Sequence, residues 1–245
     1  MSGAPTVLSL PTGLTVGSGP LQVQMPPLEL TAGQWAVLVP PTNADLPEPA
    51  TDLARRLGTL GLPTRGTIEL LGYPIATLTY AELMRLRSHM GYVPHRGGLL
   101  ANRSIVDNLA LPLSSHARLG SQAEAARVRE LLEQFELSDR ADKRPHQLDP
   151  THYFRALLAR ALTLRPQWLV VEGSGDFDSD TDGDGSWPAI RAWCDQGQAA
   201  AVAVLARRHA RFESWATRHD ARLVEWGVAE WQTVPGRVGA SEVSA

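Results

Sequence analysis

Met90-Gly91-Tyr92-Val93-Pro94-His95, then Arg96-Gly97-Gly98, then Asn102-Arg103-Ser104-Ile105-Val106-Asp107-Asn108-Leu109-Ala110-Leu111-Pro112-Leu113: this is the stretch on which the fold turns. It reads as a short apolar strand, a glycine-containing loop and a short amphipathic helix. None of its residues is catalytic by itself. Its value is as an anchor, because the rest of the chain can be laid out on either side of it.

Toward the N-terminus, residues 81–89 carry Leu83, Leu86 and Met90 at helical spacing. Before them, Trp35–Val39 is a continuous apolar run, the pattern of a strand buried on both faces of a parallel sheet. Residues 21–25 and 28–30 alternate apolar and polar, as antiparallel strands with one wet face do. Between 40 and 49 lies a loop with four prolines, and a helix is expected over 50–60. A turn at 63–66 leads into a strand over 67–72.

Toward the C-terminus, residues 114–145 read as helical and solvated. Val128, Leu131, Leu132 and Phe135 share one face, and Ser121 with Glu124 has the spacing of a capping box. Asp149-Pro150 is a helix start, a capping carboxylate followed by proline at the first helical position. Residues 166–173 and 198–205 are further buried strands. Helices follow over 187–195 and 209–218, and a strand over 222–226. The tail from 234 is rich in Gly, Ser and Pro and is expected to be disordered.

Composition narrows the possible functions. With 245 residues and 43% hydrophobic residues, the chain can build one large α/β domain or two small ones. A net charge of −3 gives no basic field for nucleic acid. A single cysteine, Cys194, rules out a disulfide framework within the chain and points to a reducing compartment. No basic residue precedes Arg55, so no signal peptide is expected. No run approaches the roughly 20 apolar residues of a membrane-spanning helix. Lys143 is the one lysine.

The stretch at 90–113 resembles the glutamine-loop region of ABC-transporter ATPases, usually written IGYVFQ…LFPNLTVLDNVALPL, with His95 at the loop glutamine. Residues 60–66 are similar to the LLPPTSG that follows that family's P-loop helix. His146-Gln147-Leu148-Asp149-Pro150-Thr151-His152 followed by residues 153–162 resembles HQLSGGQRQRVALARAL at both ends. Residues 166–173 resemble the Walker B strand PxLLLLDEP. The resemblance covers residues 28–227. It implies an α/β ABC-ATPase-like P-loop fold, a mixed sheet core with N-terminal antiparallel strands and a helical subdomain over about 103–150. On that reading, 1–233 is a single domain and 234–245 a tail.

The resemblance also implies where nucleotide would be handled, and there the residues depart from the pattern. A P-loop wraps phosphate in backbone N–H groups freed by glycine, and its lysine reaches the outer phosphates. Counting back from 60–66 puts Ala50 at the lysine; counting forward from Val39 puts Leu46 there. Asp45, Glu48 and Asp52 would repel phosphate. At the signature, Asp149, Pro150 and Thr151 replace the serine and glycines. Glu172 stands at the Mg²⁺-site aspartate and Gly173 at the catalytic glutamate. Arg207 stands at the switch histidine, two positions before His209. These positions lead to an expectation of a catalytically inactive subunit with no catalytic residues and no ATP or Mg²⁺ cofactor.

Such a subunit would dock on a membrane permease, lie on the inner face of the cell membrane, pair with itself or another ABC ATPase subunit, and bind no nucleic acid. His95, Arg96, Leu99, Leu100 and Asn102 would line the permease contact. The style of 80–93 and 107–113 is similar to ATPases of Mce-type lipid transporters, which implies lipids as cargo. Two alternatives stand beside this one. The first is an asymmetric ATPase subunit with residual nucleotide binding, Arg207 or Arg208 replacing lysine. The second is a soluble regulator without a membrane partner. Finally, Asp178, Asp180 and Asp182 followed by Gly183 match the first half of a calcium loop, but Ala189 stands where the closing glutamate belongs.

Overall fold

The computed structural model describes residues 4–17, 22–116, 121–173, 186–196 and 199–228. The acidic run with Asp178, Asp180 and Asp182 and the tail 234–245 lie outside the described residues.

Four antiparallel strands open the chain: β1 (Thr6–Leu10), β2 (Leu14–Val16), β3 (Val23–Met25) and β4 (Leu28–Thr31). Then come β5 (Trp35–Val39), α1 (Pro47–Leu57) and three short strands, β6 (Arg65–Gly66), β7 (Glu69–Leu70) and β8 (Tyr73–Pro74). Next are α2 (Tyr80–Arg87), β9 (Met90–Val93), α3 (Ile105–His116), α4 (Ser121–Gln134) and α5 (Pro150–Ala161). The chain continues through β10 (Trp168–Gly173), α6 (Ser186–Gln196), β11 (Ala200–Leu205), α7 (Ala210–Arg218), β12 (Arg222–Glu225) and β13 (Gly227–Val228).

The central sheet runs β12-β5-β11-β10-β9, every neighbour parallel. Two antiparallel sheets, β4-β1-β7-β8 and β13-β3-β2-β6, complete the α/β architecture. Strands β5, β10 and β11 are buried at every position, the consequence of having both faces covered.

Strict alternation along these strands sorts their side chains into two cores. On one face Trp35, Val37, Val39, Leu169 and Val171 pack with the apolar sides of α3 to α7. On the other, Ala36, Leu38, Trp168, Val170, Val202 and Val204 pack with α1 and the antiparallel strands. The first core has an aromatic centre: the Trp187 and Phe212 ring centroids are 4.6 Å apart, and Trp35 meets Trp215 edge-on at 5.8 Å. The second is tied by the Trp168 indole, which donates to the Leu57 carbonyl at the end of α1, 2.9 Å away. That contact satisfies one of the carbonyls a helix leaves open at its C-terminus.

Helix α1 starts at Pro47, three residues before its expected beginning. Proline is tolerated in a first turn, where its missing N–H removes no helix bond, so Pro47 and Pro49 both fall inside the helix rather than before it. Its buried residues, Pro49, Ala50, Leu53, Ala54 and Leu57, form one stripe against the sheet. Among the described residues no helix is long and apolar enough to cross a membrane.

Candidate functional site

The carboxyl ends of β5, β10 and β11 face a common region, where open parallel sheets present ligand sites. Strand β5 hands over to the loop 40–46, β10 ends at Glu172-Gly173, and β11 runs into Ala206-Arg207-Arg208.

Loop 40–46 is a strap stitched to the end of β11. Asp45 bridges Arg207 in antiparallel fashion, and the Leu46 N–H donates to the Ala206 carbonyl at 2.8 Å. The Arg208 guanidinium donates to Thr42 Oγ1 at 3.4 Å. Inside the strap the Ala44 N–H turns back to the Pro41 carbonyl, and Asn43 holds a left-handed φ of 64°. A helix start normally offers unbonded N–H groups to an anion. Here Pro47 and Pro49 have none, the Leu46 N–H is spent on Ala206, and the Ala50 N–H is bonded to the Leu46 carbonyl. Leu46 caps α1 without a side-chain bond, and Ala50 is buried beneath it, facing the sheet. As they stand, these residues do not form a phosphate cradle of the glycine-and-lysine kind.

Glu172 is buried, yet both its oxygens are claimed. Tyr92 donates its hydroxyl to one, and the His95 N–H donates to the other at 2.8 Å. The register explains the pairing. Tyr92 stands opposite Val170 in the parallel β9–β10 pair, so Glu172 lies two residues on and on the same face. Burial, then the Glu172 carboxylate beside it, push the Tyr92 phenol well above its usual pKa, while Arg55 on α1 acts against them. Parity along the two strands could have flagged Tyr92; nothing in the spacing flagged Arg55. The His95 Nδ1 is buried and has no hydrogen-bond partner among the described residues. Gly173 ends the strand, fully buried.

Arg208 does not stand ready as a lysine substitute. It is bound by Glu213 at 2.9 Å and Glu225 at 3.0 Å, and those carboxylates hold its guanidinium above its ordinary pKa. Arg207 is exposed, and its Nε donates to His209 Nε2 at 3.2 Å.

Asp149, Pro150 and Thr151 sit apart from this strap, at the start of α5. The Asp149 carboxylate accepts from the His152 N–H at 2.9 Å and meets the His152 ring at 2.6 Å. The His152 N–H bond first, with the His152 ring, holds the Asp149 carboxyl below its usual pKa. One turn on, the Tyr153 hydroxyl donates to the Gly97 carbonyl at 2.9 Å, joining α5 to the loop after β9. That loop needs glycine: Gly98 has φ +90°, and a Cβ there would lie 2.7 Å from Leu157 Cδ2.

Of the residues expected at a docking face, Arg96, Leu100 and Asn102 are exposed and His95 is half-buried. Leu99 is not on that face. It is 9% exposed and belongs to the first core, because an apolar side chain at the loop's turn is drawn beneath it.

No family model matches the chain. It is 35% identical over 150 residues to a methionine import ATP-binding protein, MetN 1, of Rhodococcus jostii, covering 61% of this chain and 43% of that protein. It is 33% identical over 158 residues to the macrolide export ATP-binding/permease protein MacB of Rhodopirellula baltica, covering 63% of this chain and 22% of that protein. The chain thus spans less than half the length of these relatives. In fold it is similar to the dimeric bacterial ABC transporter cassette MJ0796, with a TM-score of 0.71 and 20% identity over 90% of this chain and 94% of that one. A post-hydrolysis dimer of the same cassette, bound to ADP and Pi, gives a TM-score of 0.70 at 20% identity, over 94% of this chain and 100% of that one.

In fold the chain is an ATP-binding cassette, and in sequence it is similar to ATP-binding proteins of ABC transporters. Three expectations are corrected by these matches: an inactive subunit, a non-enzyme, and a chain without ATP or Mg²⁺. The relatives matched in sequence are named as ATP-binding proteins, and a neighbour in fold holds hydrolysis products.

Proposed function

We propose that this chain is the ATP-binding, ATP-hydrolysing subunit of an ABC transport complex, paired with a second cassette and held at the inner face of the cell membrane by a permease. The observation that carries this reading is the match to ATP-binding transport proteins at 33–35% identity on a cassette fold. ATP with Mg²⁺ would meet the strap at Leu46, Glu172 and Arg207 at the strand ends, with His95 beside them and Ala50 and Gly173 buried behind. Asp149, Pro150 and Thr151 would face the paired cassette. Arg55, which acts on the Tyr92 hydroxyl from α1, is the candidate for the positive charge that lysine supplies elsewhere. On this reading the strap 41–46 must part from Ala206 and Arg207 when phosphate enters. His95, Arg96, Leu100 and Asn102 meet the permease.

The relatives are named for methionine import and macrolide export, whereas stretches 80–93 and 107–113 resemble lipid-transporter ATPases. Cargo is therefore set by the permease and not by this chain.

Titration of a fluorescent ATP analogue with Mg²⁺ into the purified chain, alone and with its co-purifying partner, tests the reading. Saturation well below millimolar, a limit of about −4 kcal/mol, and phosphate release on adding ATP are expected, with Arg55→Ala weakening binding about tenfold. No saturation with the partner present overturns it.

A further inference from the structure

A cavity of about 570 Å³ opens at the other end of the central sheet, where β9 and β10 begin rather than where the strands end. His89 directly precedes β9 and Gln167 directly precedes β10, and both line it. The Gln167 N–H donates to the His89 carbonyl at 2.8 Å, which fixes the two residues side by side. The opposite walls come from the start of β1, the turn between β7 and β8, and α2. A space of this size suits a small molecule rather than a chain segment.

Part of the lining is apolar. Val7 and Leu86 are buried, and Leu71 and Leu78 are half-buried. Tyr73 lines the cavity too and keeps 56% of its surface exposed, unusual for a large aromatic ring with apolar neighbours. The polar part has an excess of donors. Arg85, His89 and Gln167 all line the cavity, and among the described residues none of the three side chains makes a hydrogen bond or an ion pair. The one acid in the lining, Glu82, is turned to other work: its Oε2 accepts the Thr79 N–H at 2.8 Å and the Thr79 hydroxyl at 2.6 Å in the cap of α2. An arginine has five donors in a fork and no acceptor. A carboxylate accepts only, and its two oxygens match that fork.

We propose that this cavity binds a small organic acid with one carboxylate on a ring-sized apolar body, the carboxylate on Arg85 beside His89 and Gln167, the body over Val7, Leu78 and Leu86 against Tyr73. The site is separate from the strand-end site and does not rest on the reading under "Proposed function".

Titration calorimetry of the full chain with 2-naphthoate tests it. One molecule should bind per chain with a dissociation constant at or below about 1 mM. Two probes split the recognition: 2-naphthamide keeps the body and loses the charge, acetate keeps the charge and loses the body, and each should bind at least fivefold more weakly. Arg85→Gln should weaken naphthoate at least fivefold, and Tyr73→Ala at least twofold. Arg129→Gln, at an exposed arginine of α4 outside the cavity, should leave it within twofold. If Arg85→Gln does not fold, His89→Ala at the same wall takes its place with a loss of at least twofold. No saturation by naphthoate in the millimolar range overturns the site. Naphthamide binding less than fivefold weaker overturns the carboxylate, and acetate binding less than fivefold weaker overturns the apolar body. A loss in Arg129→Gln equal to that in Arg85→Gln shows general attraction of anions and overturns the placement. No nucleotide enters this titration, so its failure leaves the ATP reading standing, and failure of the ATP titration leaves this site standing.

Discussion

Helices α1 and α5 both begin with proline at the first position, yet their starts are held by different means. Asp149 caps α5 from within its own sequence, through the His152 N–H. Leu46 caps α1 with no side-chain bond, and the turn is held from outside, by Ala206 on another strand and by the Asp45–Arg207 bridge. One start is written locally and survives wherever the segment folds as a helix. The other exists only once β11 is in place beside β5. A helix start that depends on a distant strand can also be released by anything that moves that strand. This makes the strap the part of the site whose geometry nucleotide is expected to change.

The largest effect should not distinguish the two helices at all. Leu53 in α1 and Leu158 in α5 are both fully buried, so Leu53→Ala and Leu158→Ala should each cost about 3 kcal/mol in urea unfolding. A much smaller loss at one would mean that this helix packs loosely and that the comparison rests on more than its start.

Next in size is Glu172→Ala, expected to cost about 2 kcal/mol because it strands the buried Tyr92 hydroxyl and the His95 N–H. The same unfolding series should show Glu172→Gln closer to wild type, since the amide oxygen still accepts one of the two bonds.

Asp149→Ala should cost about 1 kcal/mol, the usual worth of an N-cap. Its pH dependence has a definite sign. The folded pKa lies below the ordinary carboxylate value of about 3.9. The cap's contribution is therefore complete above that value and is lost as pH falls through the lowered folded pKa. Urea midpoints of wild type and Asp149→Asn, followed from pH 7 to pH 2, should begin to approach each other below about pH 4. Midpoints that stay apart would show that the carboxylate's charge is not what holds the turn.

The smallest effect belongs to the strap. Thr42→Ala removes one long, exposed contact to Arg208 and should shift stability by only a few tenths of a kcal/mol. Hydrogen exchange sharpens the contrast more than any mutation. The Leu46 N–H should be protected by Ala206, and adding ATP should unprotect it, while the His152 N–H at α5 stays as it was. An unchanged Leu46 under saturating ATP would mean that nucleotide binds without parting the strap.

Much of this was legible from residues alone. The apolar runs at Trp35–Val39 and Trp168–Val171 read as strands covered on both faces, and the central sheet places them so. Asp149-Pro150 announced a helix start because a cap and a preset φ are local chemistry. The likeness to ATP-binding cassettes was legible through the order of matched stretches on either side of the altered positions. The site was read less well. Leu46 and Arg207 lie far apart in the chain, yet their segments bind each other, through the Leu46 N–H to Ala206 and the Asp45–Arg207 bridge. Leu99 was placed on a docking face and lies in the core, because the turn at Gly97-Gly98 decides which way the next side chain points.

The sequence by itself determined the central strands, most of the longer helices and the two faces of each central strand, because periodicity and capping act over a few residues; the short strands β1, β2, β8 and β13 carry no such pattern, and the helix expected over 114–145 ends at Gln134. Only the tertiary structure decided who bonds to Glu172, and that the strap 41–46 is sewn to the segment of Arg207. Those contacts join residues tens to more than a hundred positions apart. No local pattern encodes them; they follow from which strands lie side by side and in which register.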